Sequence, residues 1–143
     1  MASSISFRCN TVEETQNLGI SIGKKLHSGD LVSLRGSLGA GKTIIAKGIA
    51  LALEIEEAIV SPTFTLIQEY SGTLPLIHMD VYRIDGVEEF DGIGGEELLY
   101  QKGVTLIEWS EKIDEILPPH TIYVSIEIGL DQERIITIKG LEV

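Results

Sequence analysis

Gly36-Ser37-Leu38-Gly39-Ala40-Gly41-Lys42-Thr43 decides how the rest of the chain is read. A glycine, four residues, a second glycine, a lysine and a hydroxyl residue make the pattern of a phosphate-binding loop. Glycine admits positive φ angles and brings the backbone close to a ligand, because no Cβ stands in the way. The successive amides of Ser37, Leu38, Gly39, Ala40 and Gly41 can then converge on phosphate oxygens. Lys42 would set an ammonium group between the β- and γ-phosphates, and Thr43 would turn a hydroxyl toward Mg²⁺.

The flanks supply the context that the motif needs. Residues 31–35 have strand character, and residues 44–53 are mostly apolar and long enough for three helical turns. Strand, glycine loop and helix follow in order, and the dipole at the helix N-terminus adds to the attraction for phosphate.

Composition limits what such a site can serve. A chain of 143 residues is expected to be a single domain, 1–143, and to bury about two-thirds of its unfolded surface. Hydrophobic residues make up 43%, which excludes a disordered chain. Cys9 is the only cysteine, so no internal disulfide forms and a reducing compartment is expected. No secretory leader is read at the start. Lys47 interrupts the best apolar run, so no membrane association is expected and the localisation is cytoplasmic. The net charge of −11 argues against independent nucleic-acid binding, which needs Lys and Arg against phosphates. Any contact with RNA should pass through a partner. An acidic protein that takes a polyanionic nucleotide must also build a strongly positive local site, which the amide cradle, Lys42, the helix dipole and Mg²⁺ would supply.

Along the chain, Thr11 and Glu14 fit a capping box that opens a helix. Thr15, Leu18, Ile22 and Leu26 recur on its face, and Gly29 is a stop signal. A helix is predicted over 43–53, strands over 64–70, 76–83 and 104–109, and a short helix over 111–117. The segments 121–128 and 134–139 read as a terminal antiparallel hairpin. Alternating strands and helices indicate an α/β layered domain with a central sheet.

A Mg-nucleotide site also needs an acid at the carboxyl end of a neighbouring strand. Val104-Thr105-Leu106-Ile107-Glu108 is a largely apolar run ending in a carboxylate, as suits a strand buried on both faces. Glu108 is therefore the favoured Mg²⁺-associated acid, the alternative being a carboxylate that merely ends a strand. In Leu76-Ile77-His78-Met79-Asp80 the period of two puts His78 and Asp80 on one face, with Ile77 and Met79 on the other. Asp80 either stands behind the ion, orients an attacking water, or forms a surface pair with Arg83. His78 is read as structural and left out of the chemistry. Trp109 is read as packing apolar surface, with contact to nucleotide or a partner as the alternative. In Ser61-Pro62-Thr63-Phe64-Thr65, Thr63 could meet the γ-phosphate or Mg²⁺ and release it after hydrolysis, or be an ordinary turn residue. Six acids and no base lie within 85–97; they form either a solvated face or a docking surface for a basic partner.

Taken together, the loop, Ser61-Pro62-Thr63-Phe64-Thr65-Leu66, His78-Met79-Asp80-Val81-Tyr82-Arg83-Ile84 and Leu106-Ile107-Glu108-Trp109 resemble the TsaE (YjeE) family, in order and in spacing. The resemblance spans about residues 11–117. It implies a P-loop NTPase-like three-layer domain with a mainly parallel central sheet. It also implies Mg²⁺-dependent ATP hydrolysis, weak in isolation, that supports N6-threonylcarbamoyladenosine formation at position 37 of tRNA by acting on a TsaB–TsaD complex. Contact with tRNA would be indirect, through that complex. Carried over by motif, Lys42 contacts phosphates, Thr43 and Glu108 serve Mg²⁺, Thr63 and Asp80 belong to the catalytic or switch region, and Thr11 lies where the adenine approaches. Ser110 stands where proline is common in the family. A GTPase is disfavoured because no Asn-Lys-x-Asp segment is present. A transporter ATPase is disfavoured by the short chain, which lacks a Leu-Ser-Gly-Gly signature. The alternatives are a small-molecule kinase, for which four arginines are few, and a nucleotide-gated binding module with negligible turnover.

Overall fold

The structure, a computed structural model, describes residues 4–37, 40–59 and 67–143. Its strands are β1 (Ser4–Cys9), β2 (Leu31–Gly36), β3 (Ile67–Tyr70), β4 (Leu76–Asp80), β5 (Val104–Glu108), β6 (Ile122–Ile128) and β7 (Arg134–Lys139). They form one sheet in the order β1-β7-β6-β2-β5-β4-β3. The four central strands β6, β2, β5 and β4 run parallel, whereas β1–β7, β7–β6 and β4–β3 pair antiparallel. The sheet is thus mixed rather than mainly parallel. Burial explains the division. Every residue of β4 and β5 is buried, as strands covered on both faces must be, while burial alternates along β6. β1, which the sequence pattern did not mark, extends the sheet through β7.

Helix α1 (Val12–Lys24) begins as its sequence predicts. Thr11 Oγ1 accepts the Glu14 N–H at 3.0 Å, and Glu14 Oε1 accepts the N–H of Asn10, one residue before the cap, at 2.8 Å. Helix α2 (Lys42–Ala52) packs against it almost backbone to backbone. A Cβ on Gly48 would lie 2.4 Å from the Gln16 carbonyl oxygen, and one on Gly19 2.6 Å from that of Ile45. Ile22, Ile45 and Ile49 of these helices join Val32, Leu34, Leu106 and Val124 in the larger core. On the opposite face, α3 (Val87–Gly92), α4 (Gly95–Leu98) and a 3₁₀ segment (Ser110–Ile116) cover a smaller core of Ile77, Met79, Ile107 and Phe90. The 3₁₀ segment stands where a helix over 111–117 is predicted.

The strand predicted over 76–83 stops at Asp80 because its own carboxylate ends it. Asp80 Oδ1 accepts the Tyr82 N–H at 2.8 Å, and the Ile84 N–H turns back to the Val81 carbonyl at 3.1 Å. The terminal hairpin is present as β6 and β7. Among the described residues no helix is long and apolar enough to cross a membrane.

Candidate active site

Strand β2 delivers the glycine loop to the carboxyl edge of the parallel strands. There Gly36 lies so close to β6 that a Cβ would stand 2.8 Å from the Ile126 carbonyl oxygen. Gly41 caps α2 with φ 115°, a left-handed conformation that a side chain would resist. The Ile44 and Ile45 N–H groups are already bonded to the Gly41 carbonyl, both at 3.1 Å. The first N–H groups of an α-helix have no partner within it, so those of Lys42 and Thr43 open onto the loop. Thr43 is half-buried in this first turn. Leu38, Gly39 and Thr63, also expected at the site, lie outside the described residues.

The sheet brings the acids to the same place. Successive strand residues face opposite sides. Leu76, Val104 and Leu106 enter the core beneath α1 and α2, and Ile77, Met79 and Ile107 enter the other. By the same alternation His78, Asp80 and Glu108 project toward the face where α2 begins. Asp80 and Glu108 are register neighbours across β4 and β5. Lys42 Nζ lies 4.0 Å from Glu108 Oε1, and both side chains are more than nine-tenths buried. On its other oxygen, Oε2, Glu108 accepts a hydrogen bond from His78 Nε2 at 2.7 Å. The carboxylate can only accept, so Nε2 is the donor in this bond.

Asp80 is buried too. Desolvation pushes its carboxyl pKa up, and the Glu108 charge adds to the rise. The Tyr82 N–H, Lys42 and His78 work against it. Such a concentration of buried charge contributes little to stability by itself and makes these residues the candidate functional site.

Trp109 closes the array. Its ring centroid lies 4.1 Å from Lys42 Nζ and 4.9 Å from that of Tyr82. It holds φ 62°, a costly conformation for a bulky residue. The residues after it are pinned: Ser110 Oγ bonds Ser33 Oγ, Arg35 Nε donates to the same Ser33 oxygen at 2.9 Å, and Arg35 pairs with Asp114.

A cavity of about 260 Å³ opens beside Gly41, between the start of α1 and the β6–β7 hairpin; Thr11, Thr15, Ile44, Gln132 and Arg134 are among its walls. Arg134 joins hairpin and loop, donating from Nε to the Ala40 carbonyl at 2.8 Å and from Nη1 to that of Gln132 at 2.6 Å. Thr11 stands at the cavity as expected. His78 and Arg134 were not assigned from the sequence. The alternation shared with Asp80 pointed to His78, but no local pattern connects Arg134 with a loop 94 residues away.

Among the described residues no group of three or more His, Cys, Asp or Glu is arranged to hold a metal ion by itself. Mg²⁺ is commonly held by one or two carboxylates together with substrate phosphates. Thr43, Glu108 and Asp80 fit that donor set.

The family model described as "Threonylcarbamoyl adenosine biosynthesis protein TsaE" matches residues 9–136. A protein of Treponema pallidum (strain Nichols) named tRNA threonylcarbamoyladenosine biosynthesis protein TsaE is 44% identical over 133 residues, which are 92% of this chain and 98% of that one. A protein of the same name from Bacillus subtilis (strain 168) is 41% identical over 138 residues, 96% of this chain and 86% of that one. The crystal structure of YdiB from Bacillus superposes with a TM-score of 0.82 at 36% identity, covering 99% of this chain and 88% of the other.

Proposed function

This chain belongs to the TsaE family, whose role is in tRNA threonylcarbamoyladenosine biosynthesis, and from that premise we propose that it is a P-loop ATPase. It would bind Mg-ATP, hydrolyse it slowly alone, and act in the cytoplasm on a TsaB–TsaD complex, which performs the transfer to tRNA. The observation that carries this reading is the meeting of Lys42, Glu108 and Asp80 at the N-terminus of α2, directly after the glycine loop.

Each residue has a definable task. The loop amides and Lys42 take the phosphates. Thr43 and Glu108 would hold Mg²⁺, which when bound neutralises charge on the β- and γ-phosphate oxygens. Lys42 sits against Glu108 and Trp109, so binding exchanges one anionic partner for another without moving the ammonium into water. Asp80 has its Oδ1 committed to the Tyr82 N–H, which leaves Oδ2 to orient a water. Thr63 is assigned the γ-phosphate switch on its motif. The cavity at Thr11 suits the adenine in position and scale.

Phosphate-release kinetics and calorimetry with ATP in magnesium buffer, with and without TsaB–TsaD, test the proposal. Lys42→Ala should weaken ATP binding. Glu108→Ala should leave magnesium-free binding largely intact and lower magnesium-dependent turnover by roughly 10²–10³-fold, the scale of a lost electrostatic contact at a reacting phosphate. Absence of a heat of ATP binding in folded wild-type protein, or equal affinity and turnover in both variants, would refute the assignment.

A further inference from the structure

We propose that His78 is a positioning residue that holds the Glu108 carboxylate in the orientation used by the metal–nucleotide; the inference rests on the phosphate-site reading above. Glu108 is held from two directions, by His78 Nε2 at 2.7 Å on Oε2 and by Lys42 Nζ at 4.0 Å on Oε1. The two restraints differ in kind. The histidine bond is short and directional, and its imidazole is 1% exposed. The lysine is a point charge at the margin of contact, on a flexible stem.

When phosphate arrives, Lys42 turns its charge to the ligand and loosens its hold on Oε1. The imidazole then remains to keep the carboxylate from rotating. It is fixed on β4, where it pairs in register with Leu106 of β5, two residues before Glu108, so the donor does not depend on the glycine loop.

His78 Nδ1 supports a role beyond packing. It is buried and has no hydrogen-bond partner among the described residues. A histidine kept only to fill space beneath α2 could be replaced by an apolar ring with no polar atom left unsatisfied. The unpartnered nitrogen is tolerable if Nδ1 is the bare acceptor and Nε2 the donor, the tautomer that Glu108 requires. The imidazole is thus retained for the bond on its far side, as partners behind a metal ligand fix that ligand's orientation.

The experiment compares His78→Phe, which keeps a ring and loses the donor, with His78→Gln, whose amide nitrogen is the same number of bonds from Cβ as Nε2. ATP affinity is measured by calorimetry in EDTA and in magnesium, turnover is resolved into kcat and KM, and melting reports folding. Affinity in EDTA should be unchanged in both variants. The magnesium-dependent gain in affinity and kcat should fall roughly 10–100-fold in His78→Phe and recover in His78→Gln. Imidazole ¹⁵N NMR of the nucleotide-free wild-type protein should show a protonated Nε2 and a bare Nδ1. A proton on Nδ1 alone overturns the proposal without any variant. So does His78→Phe with unchanged magnesium dependence, or a folded His78→Gln as impaired as His78→Phe. ATP that fails to bind the wild-type protein under either condition would sink the phosphate-site reading itself and this proposal with it. ATP bound equally well by wild type and His78→Phe in magnesium would sink the proposal alone.

Discussion

The two faces of the sheet are closed by opposite means. Beneath α1 and α2 the seal is made by what is missing: Gly19 and Gly48 let two helix backbones touch, and no side chain fits between them. Beneath α3, α4 and the 3₁₀ segment it is made by what is inserted. Phe90, fully buried, places its ring over bare Gly95, where a Cβ would meet it at 2.4 Å. The first face carries the glycine loop, and Lys42, His78, Asp80 and Glu108 are buried on it. A helix locked by its backbone holds Lys42 at a fixed depth against Glu108. A short helix held by one aromatic ring serves as cover. Precision is therefore concentrated on the side of the candidate site, and each face should fail in its own way.

The largest effect expected is from Phe90→Ala. Emptying that seat should destabilise the fold by about 3–5 kcal/mol, as for a fully buried aromatic truncated in a core. Below the lowered melting temperature ATP affinity should be unchanged, because Lys42 and the loop stand on the other face. Urea denaturation paired with calorimetry checks both halves. Affinity falling in step with stability would erase the distinction between the faces.

Gly48→Ala reverses the logic, adding atoms where none fit. The new Cβ meets the Gln16 carbonyl at 2.4 Å. The expected loss is about 1–3 kcal/mol of overpacking, partly offset by roughly 1 kcal/mol from the better helix propensity of alanine. Here ATP affinity should fall as well, since α2, which begins at Lys42, must move relative to α1 to relieve the clash. A variant that loses stability with full affinity would show that the backbone contact does not set the position of the lysine.

Asp80→Asn should go the other way. The ionised carboxylate is buried, its pKa raised chiefly by desolvation, so the folded state binds a proton more readily than the unfolded one. The native charge then costs stability above the raised pKa. That cost is relieved as pH falls through it toward the ordinary carboxylate value. Asparagine keeps an oxygen for the Tyr82 N–H and removes the charge. The variant should be more stable near neutral pH, by about 0.5–2 kcal/mol, and inactive, the exchange expected where a functional group is held under strain. Its advantage should shrink in acid. Metal-free urea titrations of both proteins across the acid range give the test, and an advantage that grew as pH fell would have the wrong sign.

These contrasts also show what the sequence could disclose. The helix after the glycine loop, the Thr11 cap and the buried run ending in Glu108 are local patterns, and each appears where its pattern placed it. The alternation of 76–80 assigned His78 and Asp80 to one face correctly but not the histidine's partner, because Glu108 lies on another strand and only the β4–β5 register brings them together. The Asp80–Tyr82 bond shortened a strand that propensity had extended. Arg134 and β1 were missed for the same reason: their place depends on a hairpin folding back across the sheet to meet the loop and the N-terminal segment. Contacts between distant residues on different strands leave no trace in a local period.

The smallest effect expected lies where the flank meets the site. Cys9 ends β1 and lines the cavity beside Thr11. Burial pushes its thiol pKa up, with a hydrogen bond to Thr15 opposing and the Glu14 charge adding. The thiolate is the reacting species, so a raised pKa leaves little of it near neutral pH. Alkylation should be slower than for a free thiol, should accelerate on denaturation, and should slow further when ATP fills the cavity. The last change sharpens the contrast between the faces: a ligand in the cavity walled by α1 and the hairpin should be felt at Cys9 in the folded protein. Protection of Cys9 by inorganic phosphate as strong as by ATP would move the base away from this cavity and leave it lined for something else.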